Sequence, residues 1–282
     1  MATPSSEARA LGRAFRLGLA RAPRRGLAGA VLGRGPGASM EFHDRRAYAA
    51  GDDVRHLDWR AFARTDQLMV RLHREEVAPE LDLILDASRS MAVEPEKAQR
   101  AVDLAAFLDS AARAGGYRAR LLRLGRRPER LDDERFNVHG VEFDEVGSLG
   151  AALAALAPLL RPDSIRVLIS DLLVPDDAVA LTRELAARAG GLGVIQVLGA
   201  IDHRPAVGDA LRLVDAETEA GIDLVLDRRT VDAYLSRLAR LEAAWGEAVQ
   251  RRGGLFARVH ADEAFLAVAR GPLLHSGLVE PG

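Results

Sequence analysis

The sequence predicts an α/β fold in which a mostly parallel central sheet is covered by helices on both faces. Three observations point there. From residue 79 onward, short apolar runs alternate with helical stretches in the order strand, helix, strand, helix, strand. The runs are rich in Leu, Ile and Val, as strands buried on both faces are. Finally, 48 % of the 282 residues are hydrophobic and the net charge is −2, so a sizeable core forms and wholesale disorder is excluded.

The elements follow in chain order. Residues 1–37 make an arm with seven arginines against one acid, Glu7. Leu11, Phe15 and Leu19 fall at spacing four, which predicts a short amphipathic helix that packs on its own domain or lies on an anionic surface. Residues 33–37, Gly-Arg-Gly-Pro-Gly, break the chain. Residues 38–78 are dense in charge and aromatics, and residues 79–270 carry the alternating pattern. Within it, residues 81–86 read as a buried strand. Residues 94–113 read as a helix with Pro95 in its first turn, an apolar stripe through Ala98, Ala101, Val102, Ala105, Leu108 and Ala112, and Gly115-Gly116 as its stop. Strands follow at 117–124, 165–170 and 192–198, with helices at 149–160 and 176–189 between them. Residues 211–215 and 222–226 alternate apolar and polar around a short linker, which predicts an antiparallel hairpin at a sheet edge. A long helix over 230–251 and a last strand over 255–259 complete the domain, and residues 271–282 read as a loose C-terminal tail.

Composition removes several function classes. There is no cysteine, so disulfides, thiolate zinc sites and cysteine nucleophiles are excluded, and the chain suits a reducing cytoplasm. Lys97 is the only lysine and follows Glu-Pro-Glu with no glycine loop before it, which excludes a Walker A lysine. The longest apolar run, residues 149–160, contains Pro158 and is too short to span a membrane, and the N-terminus lacks the apolar stretch of a secretory signal. The histidines, at 43, 56, 73, 139, 203, 260 and 275, have no close metal-ligand spacing, and no Gly-x-Ser-x-Gly elbow occurs. With balanced charge and few aromatics, nucleic acid is not an expected partner.

Ligands of open α/β sheets sit outside the carboxyl ends of the strands. After the first apolar strand comes Asp86-Ala-Ser88-Arg-Ser90-Met91; after the third comes Ser170-Asp171; before the helix at 149 stands Ser148. Two carboxylates and several hydroxyls are hard oxygen donors, suited to Mg2+, Mn2+ or Ca2+. The simpler reading of Asp86 and Ser88 is that they cap the helix that follows.

Asp86-Ala-Ser-Arg-Ser-Met resembles the metal-ion-dependent adhesion site of von Willebrand factor A-like domains. The string from Met40-Glu-Phe-His-Asp through Gly51-Asp-Asp-Val-Arg-His-Leu-Asp-Trp-Arg60 to Ala63-Arg-Thr-Asp-Gln-Leu-Met-Val-Arg71 closely resembles the bacterial family called domain of unknown function 58, a likeness that covers about residues 10–265. The resemblance implies a von Willebrand factor A-like fold and a metal site of Asp86, Ser88, Ser90, Ser148 (where the pattern usually has threonine) and Asp171. It also implies a MoxR-type AAA+ ATPase as partner, and a place in the branch without membrane helices. Gly51-Asp52-Asp53 has the form of a polymerase metal triplet, but the order of elements is wrong for one. Asp52, Asp53, Arg55, Asp58, Arg60 and Arg64 are expected to form a charge-assisted network holding their segment, with Trp59 as a buried apolar anchor. The resulting expectation is a cytoplasmic, non-enzymatic interaction module that binds Mg2+ weakly and serves as an adaptor or assembly factor for the ATPase and a further client protein. The alternative is a metal-dependent hydrolase using the same carboxylates.

Overall fold

A computed structural model describes residues 1–19, 45–49, 54, 57–71, 78–144, 148–174, 177–208, 210–214, 221–225 and 227–282. The chain divides into two compact units, Met1–Ala22 with Ala78–Gly282, and Pro23–Val77. In chain order the elements are α1 (Ser6–Gly12), β1 (Phe15–Leu17), β2 (Arg45–Ala47), α2 (Trp59–Thr65), β3 (Met69–Arg71), β4 (Glu80–Asp86), α3 (Pro95–Ala114), β5 (Arg118–Leu124), β6 (Glu129–Leu131), α4 (Leu149–Leu156), β7 (Ile165–Ser170), α5 (Ala178–Ala186), β8 (Gly191–Leu198), α6 (Ala200–His203), β9 (Ala210–Val214), β10 (Gly221–Val225), α7 (Arg228–Gln250), β11 (Leu255–His260), α8 (Phe265–Val268) and β12 (Val279–Pro281).

In the larger unit a six-stranded sheet runs β11-β8-β7-β4-β5-β6. Every neighbouring pair is parallel except β5 with β6. The side chains of β4 alternate between faces, as the pleat requires. Leu81, Leu83 and Leu85 join a core with Val102, Phe107 and Leu108 of α3, while Ile84 joins a second core with Leu153 of α4, Leu181 of α5 and Trp245 of α7. Covering both faces explains why β4, β7 and β8 are rich in Leu, Ile and Val. The helices begin where the sequence supplies caps: Asp177 accepts the Val179 N–H at 2.9 Å and Asp227 that of Thr230 at 2.7 Å, while Pro95 opens α3. No helix among the described residues is long and apolar enough to cross a membrane.

Three features of the larger unit differ from the sequence expectation. The N-terminal helix stops at Gly12, where it lies so close to α3 that a Cβ would meet the Phe107 carbonyl at 2.4 Å. Phe15 and Leu19 therefore lie outside a helix, yet both are buried, and the Phe15 and Phe107 rings pack 5.4 Å apart. This end of the arm packs on its own domain. Residues 271–282 are not loose: Leu278 and Val279 are fully buried, and β12 pairs antiparallel with β1, Leu17 opposite Val279. The predicted hairpin forms as β9 and β10, but these two strands pair with each other in a sheet of their own. The antiparallel edge of the central sheet is instead β6, three residues with no apolar run to betray it.

In the smaller unit β2 pairs antiparallel with β3, Ala47 opposite Met69. Asp58 is the N-cap of α2, its Oδ1 accepting the N–H groups of Arg60 and Ala61 at 3.1 Å each, and Arg64 Nε donates to the Arg60 carbonyl at 3.2 Å. Asp52, Asp53 and Arg55 lie outside the described residues. Trp59 is 61 % exposed, not buried, and meets the Phe62 ring edge-on at 6.4 Å. Trp59 stands at the first position of α2, directly after the buried cap Asp58.

Two substitutions test the closing strand. Leu278→Ala is expected to cost about 2–5 kcal/mol in urea unfolding, as a fully buried leucine, and Glu280→Ala, its exposed near neighbour, less than about 0.5 kcal/mol. Equal, small effects would show that this segment is no part of the core.

Candidate metal centre at the carboxyl edge of the sheet

β4 and β7 are adjacent and parallel, with Leu85 beside Ile169, so Asp86 and Ser170 end their strands side by side. The chain then turns sharply. Leu172, buried, takes a left-handed φ of 58°, a conformation that disfavours leucine, and the turn is held by two side chains: Ser170 Oγ accepts the Leu172 N–H and Asp171 Oδ1 that of Leu173, both at 3.1 Å. The loop after β4 is held by the Ala87 N–H, which donates to the Leu124 carbonyl at 3.0 Å, and by the Ala87 carbonyl, which accepts the Asp144 N–H at 2.8 Å.

These anchors bring four of the five predicted site residues to one edge. Asp86 is 3 % exposed and Asp171 1 %. Asp86 Oδ1 accepts the Ser88 N–H at 3.0 Å, and its Oδ2 accepts the Ser170 hydroxyl at 2.6 Å. The Ser88 and Ser90 hydroxyls lie 3.0 Å apart. Ser88 caps the short 3-10 turn Arg89–Ala92 by position only, without a side-chain hydrogen bond, so the simple capping reading does not account for its hydroxyl. Ser148 is different. It is exposed and its Oγ accepts the Ala151 N–H at 3.1 Å, which is an N-cap of α4.

The structure adds residues that sequence reasoning missed. Lys97 is 3 % exposed, and its Nζ lies 2.8 Å from Asp171 Oδ2 and 2.9 Å from Asp202 Oδ2. Glu94 reaches across to α6, its Oε2 accepting the Ala200 N–H at 3.0 Å. A side chain at Gly199 would collide with that carboxylate. Gln196 Nε2 donates to the Asp171 carbonyl at 3.0 Å. One signal in the sequence pointed to Lys97: a cation in the first turn of a helix opposes the helix dipole and needs a local reason to be there. Nothing in the sequence pointed to Asp202, which only the fold brings near.

Electrostatics separate the two loop carboxylates. Burial, and then the charge of Asp171, push the Asp86 carboxyl up to about 6, against the hydrogen bonds from Ser170 and Ser88. For Lys97 burial pulls downward, but Asp171 and Asp202 together hold its ammonium above its ordinary value. Among the described residues no three His, Asp or Glu side chains converge as a ready metal cage. The donor set is instead two carboxylates with paired hydroxyls, all oxygen, and its chemistry fits a hard divalent ion. At the ends of α6 and β11 the His203 and His260 rings stack 4.1 Å apart.

With the geometry established, comparison places the chain. The sequence family described as "Protein of unknown function DUF58" matches residues 44–244. This chain belongs to DUF58. Three curated relatives, each described as uncharacterized, are 30 % identical over 258 residues, spanning 86 % of the DUF58 chain and 81 % of the relative. They are Mb1516 of Mycobacterium bovis and MT1527 and Rv1480 of two Mycobacterium tuberculosis strains. Among solved structures, an aerotolerance-related membrane protein from Bacteroides fragilis aligns with a TM-score of 0.45 at 16 % identity, covering 71 % of this chain and 98 % of that one. BatB from Bacteroides thetaiotaomicron aligns at 0.39 and 14 %, covering 67 % and 93 %. Both scores lie below the level at which a shared fold follows.

The state of Asp86 gives a pH test. Its folded carboxyl titrates at about 6 against an ordinary 3.8, so the unfolded chain releases this proton first. Stability from Asp86 is therefore present below about pH 4 and lost as pH rises through about 6, a change of about 3 kcal/mol at 1.36 kcal/mol per pH unit. In chelator, Asp86→Asn should gain on the wild type by that order between pH 4 and 7. A stability difference independent of pH would show that Asp86 is not perturbed.

Proposed function

We propose that this DUF58 protein is a von Willebrand factor A-like interaction module, not an enzyme. In this reading it docks an acidic side chain of a partner protein on a divalent ion, Mg2+ foremost, at the carboxyl edge of β4 and β7. The observation that carries the reading is the Ser88–Ser90 hydroxyl pair beside two buried carboxylates. Asp86, Ser88, Ser90 and Asp171 would hold the ion, and Ser148, spent on its helix cap, is the least suited of the five. A bound ion supplies a positive charge able to accept one further carboxylate oxygen. The chain's own part is positional: Ser170 and the Ser88 amide fix the Asp86 carboxylate, and Lys97 and the Leu173 amide fix Asp171.

These engagements favour docking over catalysis, because both carboxylates are tied into the edge that presents them. The family resemblance supplies the partner, a MoxR-type AAA+ ATPase. An adaptor or assembly role in the cytoplasm, toward a client protein, accords with the cysteine-free composition. The alternative is a metal-dependent hydrolase using the same carboxylates to hold the ion.

Pull-down of a MoxR-type AAA+ ATPase provides the test. Capture should need Mg2+, disappear in chelator, and disappear in the Ser88→Ala/Ser90→Ala variant, which removes both hydroxyls without altering charge. Capture that survives chelator and the double variant but falls steeply with salt would assign binding to surface charge and end the metal-docking reading. Turnover of a p-nitrophenyl ester or phosphodiester that requires Asp86 would favour the hydrolase.

A further inference from the structure

Lys97 stands where a cation is hardest to keep. It is the third residue of α3 after its cap, in the first turn, where the helix dipole repels positive charge, and it is removed from water. It stays because two carboxylates from elsewhere converge on it: Asp171 from the turn after β7 and Asp202 from α6, at 2.8 and 2.9 Å. Neither is free to drift. Asp171 is pinned through Oδ1 by the Leu173 N–H, and Asp202 Oδ2 also accepts the Gly199 N–H at 2.8 Å. Glu94, one turn before Lys97, holds α6 in place through the Ala200 N–H.

Charge then decides what an incoming ion meets. Asp86, Asp171 and Asp202 bring three negative charges to this edge, and Lys97 returns one. The Asp171 oxygen that the ammonium engages belongs to the same carboxylate that would neutralise a divalent ion.

We infer that Lys97 is a resident cation that competes with a divalent ion for Asp171 and so sets the affinity of the site. The inference rests on the ion-docking reading above. The bridge and the bound ion oppose one another. The native chain takes up Mg2+ or Mn2+ weakly because Lys97 already satisfies part of the charge, and occupancy of the site loosens the hold of Lys97 on Asp171 and, through Asp202, on α6.

The test is Mn2+ titration of the full chain, read by calorimetry and by the electron paramagnetic resonance of free Mn2+. It compares the wild type with Lys97→Met, which keeps the length of the stem and removes the charge. Circular dichroism checks that the variant is folded. Removing a unit charge a few ångströms from an ion is expected to tighten binding by about tenfold or more. Because Lys97→Met leaves two carboxylates unpaired, a second measurement uses the wild type alone. Lys97 is the only lysine, so 15N-lysine labelling gives one side-chain ammonium signal, which saturating Mg2+ should shift. Tighter binding in Lys97→Met, or in its place a shifted ammonium signal should the variant not fold, supports the inference. Equal or weaker binding in a folded Lys97→Met overturns it and leaves the docking reading standing, and so does an ammonium signal unmoved by Mg2+ that the wild type demonstrably binds. Binding to Lys97→Met alone upholds the role of Lys97 and ends metal docking by the native chain. Binding to neither ends both.

Discussion

The architecture of the sheet edge follows from one constraint: a carboxylate withdrawn from water must be met by donors or by a cation. β4 carries two such carboxylates, and they are met differently. Asp82, fully buried near the start of the strand, has the Arg120 guanidinium, with Nε at 2.8 Å, and the Ser164 hydroxyl at 2.8 Å. Asp86, at the strand's other end, is met by the Ser170 hydroxyl and by the amide and side chain of Ser88. The positive charge at that end goes to Asp171 through Lys97. A guanidinium meets the carboxylate at one edge, and uncharged donors meet the one at the other.

That asymmetry also accounts for the strained turn after β7. Leu172 holds a left-handed backbone at a cost that the two side chains flanking the turn offset by accepting its amides and the next. The turn keeps Asp171 beside Asp86 instead of letting it point into solvent, where it would be easier to accommodate.

How much of this was legible in the sequence depended on length and on sequence separation. The central strands and α3 were legible because a strand buried on both faces is rich in Leu, Ile and Val, and a long helix repeats its stripe several times. β1, β6 and β12 were not, since three residues are less than two full periods of alternation. The hairpin was legible as a hairpin, through its alternation, but alternation does not say which sheet a strand joins. At the site, Asp86, Ser88 and Ser90 were readable because they lie within five residues of chain. Lys97 and Asp171 are 74 residues apart, and their bridge exists only once β4, α3 and β7 are packed. Trp59 was misjudged because its size suggested burial, whereas it stands exposed at the first position of α2.

The pairing of β1 with β12 has a consequence for how the larger unit comes apart. Ala2 exchanges backbone hydrogen bonds with Val141, and the Gly282 N–H donates to the Ala14 carbonyl at 2.8 Å. Segments near both ends of the chain are thus woven into the body and to each other, so fraying at one releases the other. Opening there is coupled to the core through Phe15 and Leu278, and the low-cost local unfolding by which most domains first expose themselves to proteases has no obvious place to begin at either end.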